Sequence, residues 1–325
     1  MISRSLGPFN VSAIGFGCMG LSHAYGTPPD AKTAAQILLK ALELGYTFFD
    51  TASLYGLGAN EMLLGETFRR RRSEIVLASK CGMLRPRELD GRPEVLKRTC
   101  DESLRRLHTD VIDLYYLHRW DKRVPIEDSI GALADLVREG KIRSIGLSEV
   151  SAQTLRRAHA VHPIAAVQTE YSLWTRNAEI AVLDACRELG TAFVAFSPLA
   201  RGFLTGTLRD TSGLPPKDIR LAMPRFQGEN FTRNLGLLDG FSVLARENDC
   251  TMAQLALAWL LARAPHVVPI PGTTRFDHLA ENAAAAGVHL LPGAFERADA
   301  LINANTVSGP RYNATTLPEI DTEGS

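Results

Sequence analysis

The sequence has no surplus of charge, no paired cysteines and no apolar run of membrane length, and each absence removes a class of function. Its 36 Lys+Arg balance its 36 Asp+Glu. A neutral chain offers no overall field to a polyanion, so nucleic acid is not an expected partner. The five cysteines, at positions 18, 81, 100, 186 and 250, are odd in number and never form a C-x-x-C pair. That spacing argues against a disulfide framework and a thiolate zinc site, and for reduced thiols; no metal is expected. The longest strongly apolar run, residues 255–262, falls far short of the roughly 20 residues that span a bilayer. The opening MISRSLGPFNVSAIG lacks the apolar stretch of a secretory signal. These absences lead to the expectation of a soluble, cytoplasmic protein with no membrane partner.

What is present is an alternation. Short apolar runs at 13–17, 47–50, 75–80, 111–117, 142–147, 165–168, 192–196 and 267–270 read as strands buried on both faces. Between them lie stretches with apolar residues at helical spacing: 31–44, 60–72, 93–107, 126–139, 151–160, 178–189, a pair within 234–262, and 277–286. Asn60 reads as a helix cap and Glu61 as an acid favoured by the helix dipole. Eight strand–helix units are the count of an α/β protein of the (β/α)8 barrel type, which needs about 250 residues. The 325 residues therefore predict one domain, 1–325, with additions: a hairpin at 1–12, a long loop at 200–233 after the seventh strand, and a helix and tail at 291–325.

One motif is misleading. Gly15-Phe-Gly17-Cys-Met-Gly20 matches the dinucleotide fingerprint G-x-G-x-x-G, but LSHAYGTPPD follows, and its glycine and prolines forbid the helix that fingerprint requires. A Rossmann-type dehydrogenase is thus disfavoured, and the glycines read as the exit of a first barrel strand. Residues 68–72 (FRRRR) read as a basic helix end, and His159 with His162 as surface residues lacking a third metal ligand.

The stronger signal is a set of polar residues at strand ends. Asp50 closes the second strand, Tyr55 follows five residues later, Lys80 closes the third strand and His118 the fourth. Singly, Asp50 could be a cap, Lys80 solvated and His118 a core histidine. Together they fall on the barrel rim where catalytic groups collect. An ammonium near a tyrosine stabilises the phenolate and lowers its pKa, so Tyr55 could protonate an alkoxide while Asp50 holds Lys80 and His118 orients a carbonyl oxygen.

These residues, with FDTASLYGLGANEMLLGE, SIGLSEV, VQTEYSLW, FSPLARGFLTG, PRFQGENF and VPIPGTTRFDHLAEN, make the chain resemble the aldo-keto reductases over about residues 3–312. The resemblance implies NADPH-dependent reduction of a small aldehyde or ketone, with the Asp-Tyr-Lys-His tetrad on Asp50, Tyr55, Lys80 and His118. It also implies that Ser148, Glu149 and Gln168 hold the nicotinamide carboxamide and that Phe196 stacks on the ring. Ser197, Pro198, Leu199, Arg201 and Gly202 would meet the pyrophosphate. Gly272, Thr273, Thr274, Arg275, His278, Glu281 and Asn282 would hold the adenosine and its 2′-phosphate. Relatives often carry PGTKR or PGTRR where this chain reads Pro271-Gly-Thr-Thr274-Arg275, so one cation is missing and preference for NADP(H) over NAD(H) is expected to be relaxed. Any positive field for the cofactor would then rest on Arg201 and Arg275. A non-catalytic barrel, of the channel-subunit or lens-crystallin kind, is the alternative that the resemblance leaves. Loop position suggests a substrate wall of Met19, Tyr25, Trp120 and Phe226, with Met223 and Trp174 nearby. Cys18 and Cys81 are expected near the rim, open to modification. Oligomeric state and substrate identity are not encoded in any motif.

Overall fold

The computed structural model describes residues 1–324. A two-stranded hairpin comes first, β1 (Ser3–Leu6) and β2 (Phe9–Ser12). The barrel follows: β3 (Phe16–Gly17), α1 (Ala31–Glu43), β4 (Phe48–Asp50), α2 (Ala59–Phe68) and β5 (Val76–Cys81). A small antiparallel hairpin, β6 (Met83–Arg85) and β7 (Glu88–Leu89), rises from its rim before α3 (Pro93–Arg106). Then come β8 (Ile112–Leu117), α4 (Ile126–Arg138), β9 (Ile142–Ser148), α5 (Ala152–Val161), β10 (Ile164–Glu170), α6 (Val182–Leu189) and β11 (Ala192–Phe196). The chain continues through α7 (Gly228–Leu235), α8 (Leu237–Glu247), α9 (Met252–Arg263), β12 (Val267–Pro269), α10 (Phe276–Ala284) and α11 (Ala294–Leu301).

Eight of these strands form one parallel sheet in the order β12-β11-β10-β9-β8-β5-β4-β3. The ring closes where Gly15 N donates to Pro269 O at 2.9 Å and Gly17 N to Pro271 O at 3.3 Å. This is the (β/α)8 barrel. Closure explains two glycines of the misleading motif, Gly15 and Gly17, but not Gly20, where a Cβ would meet nothing within 4 Å. A Cβ on Gly17 would lie 2.8 Å from Ile270 O, and one on Gly272 would lie 2.6 Å from Gly17 O. Only bare backbone fits between the first and last strands. After Gly17 the chain makes a single 3-10 turn, and no helix begins until Ala31.

Two apolar layers hold the barrel. Inside, Phe48, Ala78, Leu114, Tyr116, Ala166, Val194 and Val268 pack with Leu6 and Val11 of the β1–β2 hairpin, which stoppers the lower end. Outside, α3, α4, α5, α6 and α9 pack buried apolar residues against the strands. In α4, Ile126, Ile130, Leu133 and Leu136 are fully buried, while Glu127 and Asp128 occupy the first turn and Arg138 the last, as the dipole favours. Burying four such side chains stabilises by roughly 1.5–3 kcal/mol each. Leu133→Ala would leave a cavity costing about 2–5 kcal/mol.

Several local expectations are corrected. The first strand is two residues long rather than five, because Ala13 N donates to Ile2 O beside the hairpin and Gly15 pairs only at closure. Asn60 caps nothing: α2 starts at Ala59, and the Asn60 amide is buried, donating to Cys18 O at 2.9 Å and accepting from Thr51 Oγ1 at 2.6 Å. Glu61 does stand in the first turn of α2, as expected, and is also fully buried between Ser79 and Arg106. The helix before the basic run ends at Phe68, and Arg72 turns inward to pair with Asp113 at 2.7 Å. Residues 200–233 are not plain loop but 3-10 turns and α7. Cys18 and Cys81 are buried, and burial pushes both thiols far above the ordinary range, so neither is open to modification. No helix among the described residues is long and apolar enough to cross a membrane.

Candidate active site

The carboxyl ends of the strands converge on a cavity of about 640 Å3, of the size that takes a cofactor or drug-sized ligand. Asp50 is the last residue of β4, Lys80 the penultimate residue of β5, and His118 follows β8 directly. Tyr55 begins the turn after β4, where Gly56 and Leu57 take left-handed conformations and carry the tyrosine back over the rim.

These four groups meet. Lys80 Nζ is bound to the Asp50 carboxylate, donates to Thr51 O at 2.7 Å and to Tyr55 Oη at 3.2 Å, and lies 4.8 Å from the Tyr55 ring centre. Gln168 Nε2, on β10, holds the other Asp50 oxygen at 2.7 Å. The His118 ring sits edge-on to Tyr55 at 5.9 Å, and its buried Nδ1 has no partner.

Burial and charge compete at each group. Burial raises Asp50, against the pull of Lys80 and Gln168. For Lys80, burial favours the neutral amine, but Asp50 and Tyr55 outweigh it, and the pKa rises above that of an ordinary lysine. Burial raises Tyr55 as well; Lys80 pulls it down, though not far enough to reverse the shift. The sequence argument expected a lowered tyrosine, and here desolvation wins. His118 is pushed well below an ordinary histidine by burial and by the charges of Arg119 and Lys80, so its ring is neutral near pH 7.

From this corner the cavity passes Ser148, Gln168 and Phe196, then residues 197–202, and ends along Gly272–Thr274, Arg275, His278, Glu281 and Asn282. Ser197, Ala200 and Arg201 hold left-handed backbone, the kind of local strain that collects at ligand sites. Of the residues expected at the cofactor, all but Glu149 line the cavity. Glu149 is buried behind it, paired with Arg311 and accepting from Glu170 N at 2.9 Å.

The expected positive field is also corrected. The Arg201 guanidinium is buried and donates to Glu170 at 2.8 Å, Tyr25 Oη at 3.1 Å and Tyr312 Oη at 3.3 Å. Burial would raise Glu170, but Arg201 and Arg311 bring it down to about 2, which keeps it ionised and Arg201 engaged. Arg275 is exposed and forked onto Asp277 at 2.5 and 3.1 Å. Both cations already have carboxylate partners.

The substrate wall is half right. Met19, Tyr25 and Met223 line the cavity, whereas Trp120 and Phe226 do not. Trp120 turns away, its Nε1 donating to Val124 O at 2.9 Å and its ring beneath Arg157. Phe226 is buried edge-on to Trp174, which itself stacks on Phe203 at 4.1 Å. The sequence reading missed the chain after α11. Tyr312, Asn313, Thr316 and Glu319 form a wall of the cavity. Arg311 anchors that segment to Glu149 and Glu170, Asp321 accepts from Ser151 N at 3.2 Å, and Glu323 accepts from Ala152 N at 2.6 Å. No periodicity marks this stretch; the adjacent Arg311-Tyr312 pair in a polar tail was its only signal.

The chain is similar in sequence and fold to known proteins. The family model described as "Aldo/keto reductase family" matches residues 13–303. An aldo-keto reductase of Schizosaccharomyces pombe, named with NADP(+), is 44% identical over 321 residues, covering 95% of this chain and 94% of its own. Among solved structures, the glycerol dehydrogenase of Gluconobacter oxydans superposes with a TM-score of 0.85 at 26% identity, over 95% of this chain and 97% of that one. An aldo-keto reductase from Klebsiella pneumoniae in complex with NADPH gives a TM-score of 0.74 at 28% identity, over 96% and 99%. With the barrel, the cavity at its strand ends and a family match from residue 13 to 303, the chain belongs to the aldo/keto reductase family.

Proposed function

We propose that this protein reduces a small aldehyde or ketone to the alcohol by direct hydride transfer from NADPH, with Tyr55 as general acid. The observation that carries the reading is the Lys80 ammonium, fully buried behind the cavity wall, joining Asp50 to Tyr55 Oη beside a neutral His118. The bound nicotinamide supplies the hydride. Phe196 offers an aromatic face to its ring, and Ser148 with Gln168 offer hydrogen-bonding groups to its carboxamide. The cavity has the volume for such a ligand, and the left-handed stretch around Ser197–Arg201 and the start of α10 would flank its phosphates and adenosine.

The protein groups then act in order. Neutral His118 orients the carbonyl oxygen toward Tyr55. As charge grows on that oxygen, Tyr55 gives up its proton, and Lys80 stabilises the phenolate left behind. Asp50, held by Gln168, keeps Lys80 charged and aimed. Because Arg201 and Arg275 are already paired, discrimination between NADPH and NADH is expected to be modest. The test is oxidation of NADPH and of NADH with a panel of activated aromatic aldehydes. Turnover with NADPH favoured supports the reading; absence of turnover with either cofactor, despite cofactor binding, supports a non-catalytic barrel instead.

A further inference from the structure

Five arginines line the cavity: Arg87, Arg119, Arg201, Arg220 and Arg275. Three are neutralised, Arg201 by Glu170, Arg220 by Asp218 at 2.7 Å and Arg275 by Asp277. Arg87 and Arg119 make no ion pair with any described residue, and both stand at the substrate end. Arg119 follows His118 directly. One of its terminal nitrogens is tied to His118 O at 2.6 Å and Ser148 Oγ at 3.0 Å, which fixes the guanidinium, while its buried Nε has no partner. Arg87 sits on the turn between β6 and β7 in a left-handed conformation and donates to Thr315 Oγ1 at 3.3 Å.

A held, half-buried guanidinium with spare donors beside the reacting corner is a receptor for a planar anion. Resting on the reductase reading above, we propose that the preferred substrates are carbonyl compounds bearing a carboxylate, which Arg119 binds and Arg87 attracts at the rim. Besides Asp50, which is paired with Lys80, Glu319 is a second carboxylate at this end of the cavity. It lies near both arginines without contacting either, so it leaves them available and opposes an entering anion. It acts as a counterweight that sets how strong the preference is.

The test compares kcat/KM for 4-carboxybenzaldehyde and its methyl ester with NADPH at low salt. The carboxylate is expected to win by roughly tenfold or more, as a charge-assisted contact warrants. Arg119→Met should bring that ratio toward one, and Glu319→Gln should raise it. A binding readout stands apart from turnover: benzoate should quench the fluorescence of the NADPH-saturated protein at about tenfold lower concentration than benzamide. Equal or better use of the ester by the unmodified protein, or equal binding of benzoate and benzamide, overturns the proposal alone. Turnover of neither aldehyde overturns the reductase reading, and the proposal with it.

Discussion

Tyr55 and Lys80 stand 25 positions apart, at the ends of neighbouring strands, and the lysine ammonium reaches the phenol oxygen at 3.2 Å inside a buried corner. In the free protein the phenol is nonetheless harder to ionise than an ordinary tyrosine, since burial exceeds the pull of Lys80. The acid form of Tyr55 is therefore the resident form through neutral pH, which is what a proton donor needs.

Tyr55→Phe is expected to cut turnover by at least about 100-fold while leaving NADPH affinity within about twofold. The pH profile of kcat/KM carries a second signature. Reduction needs Tyr55 protonated, so activity should fall only as pH rises past about 10, the ordinary tyrosine value. His118 stays neutral until well below 6.5, so no limb should appear near that pH. A steep loss between pH 6 and 7 would contradict both assignments.

Lys80→Met leaves the Asp50 carboxylate buried without its cation. The expected cost is about 3–5 kcal/mol of stability, read by urea unfolding. Adding Asp50→Asn to that variant should recover much of the stability and none of the activity. Recovery of turnover in the double variant would show that the pair does not serve Tyr55.

Trp120→Ala should leave the KM of every aldehyde tested within about twofold, because its indole faces Val124 and Arg157 rather than the cavity. A selective rise for aromatic aldehydes would return Trp120 to the substrate wall.

Asp277→Asn frees Arg275 from its present partner and removes a negative charge beside the place expected for the 2′-phosphate. NADPH binding should strengthen by about two- to fivefold relative to NADH, measured by fluorescence titration, with the gain shrinking as salt is raised. Equal shifts for the two cofactors would mean that Arg275 does not read the phosphate.

The residues that sequence placed well share one property: backbone position alone determines where they go. Asp50, Lys80, His118, Ser148 and Gln168 sit at strand ends, and a barrel brings strand ends together whatever lies between. Failures occurred where a side chain had a choice. Trp120 is on the rim by count, yet its ring turns toward α5. Asn60 has the chemistry of a helix cap, but its amide is buried and bound to Cys18 and Thr51. Glu149 matched the cofactor pattern, and its carboxylate was claimed instead by Arg311, 162 positions away. No local pattern announces a partner at that distance.

The same separation has a consequence in time. The wall formed by Tyr312 to Glu319 is fastened by contacts spanning 162, 170 and 171 positions, to Glu149, Ser151 and Ala152. Such contacts bear a large loop-closure entropy and need β9, β10 and α5 already in place. The barrel can be complete while its chamber is still a three-sided trough. What finishes the chamber is thus a segment laid onto elements formed without it, and its loosening would open the chamber while leaving the barrel's own pairing intact.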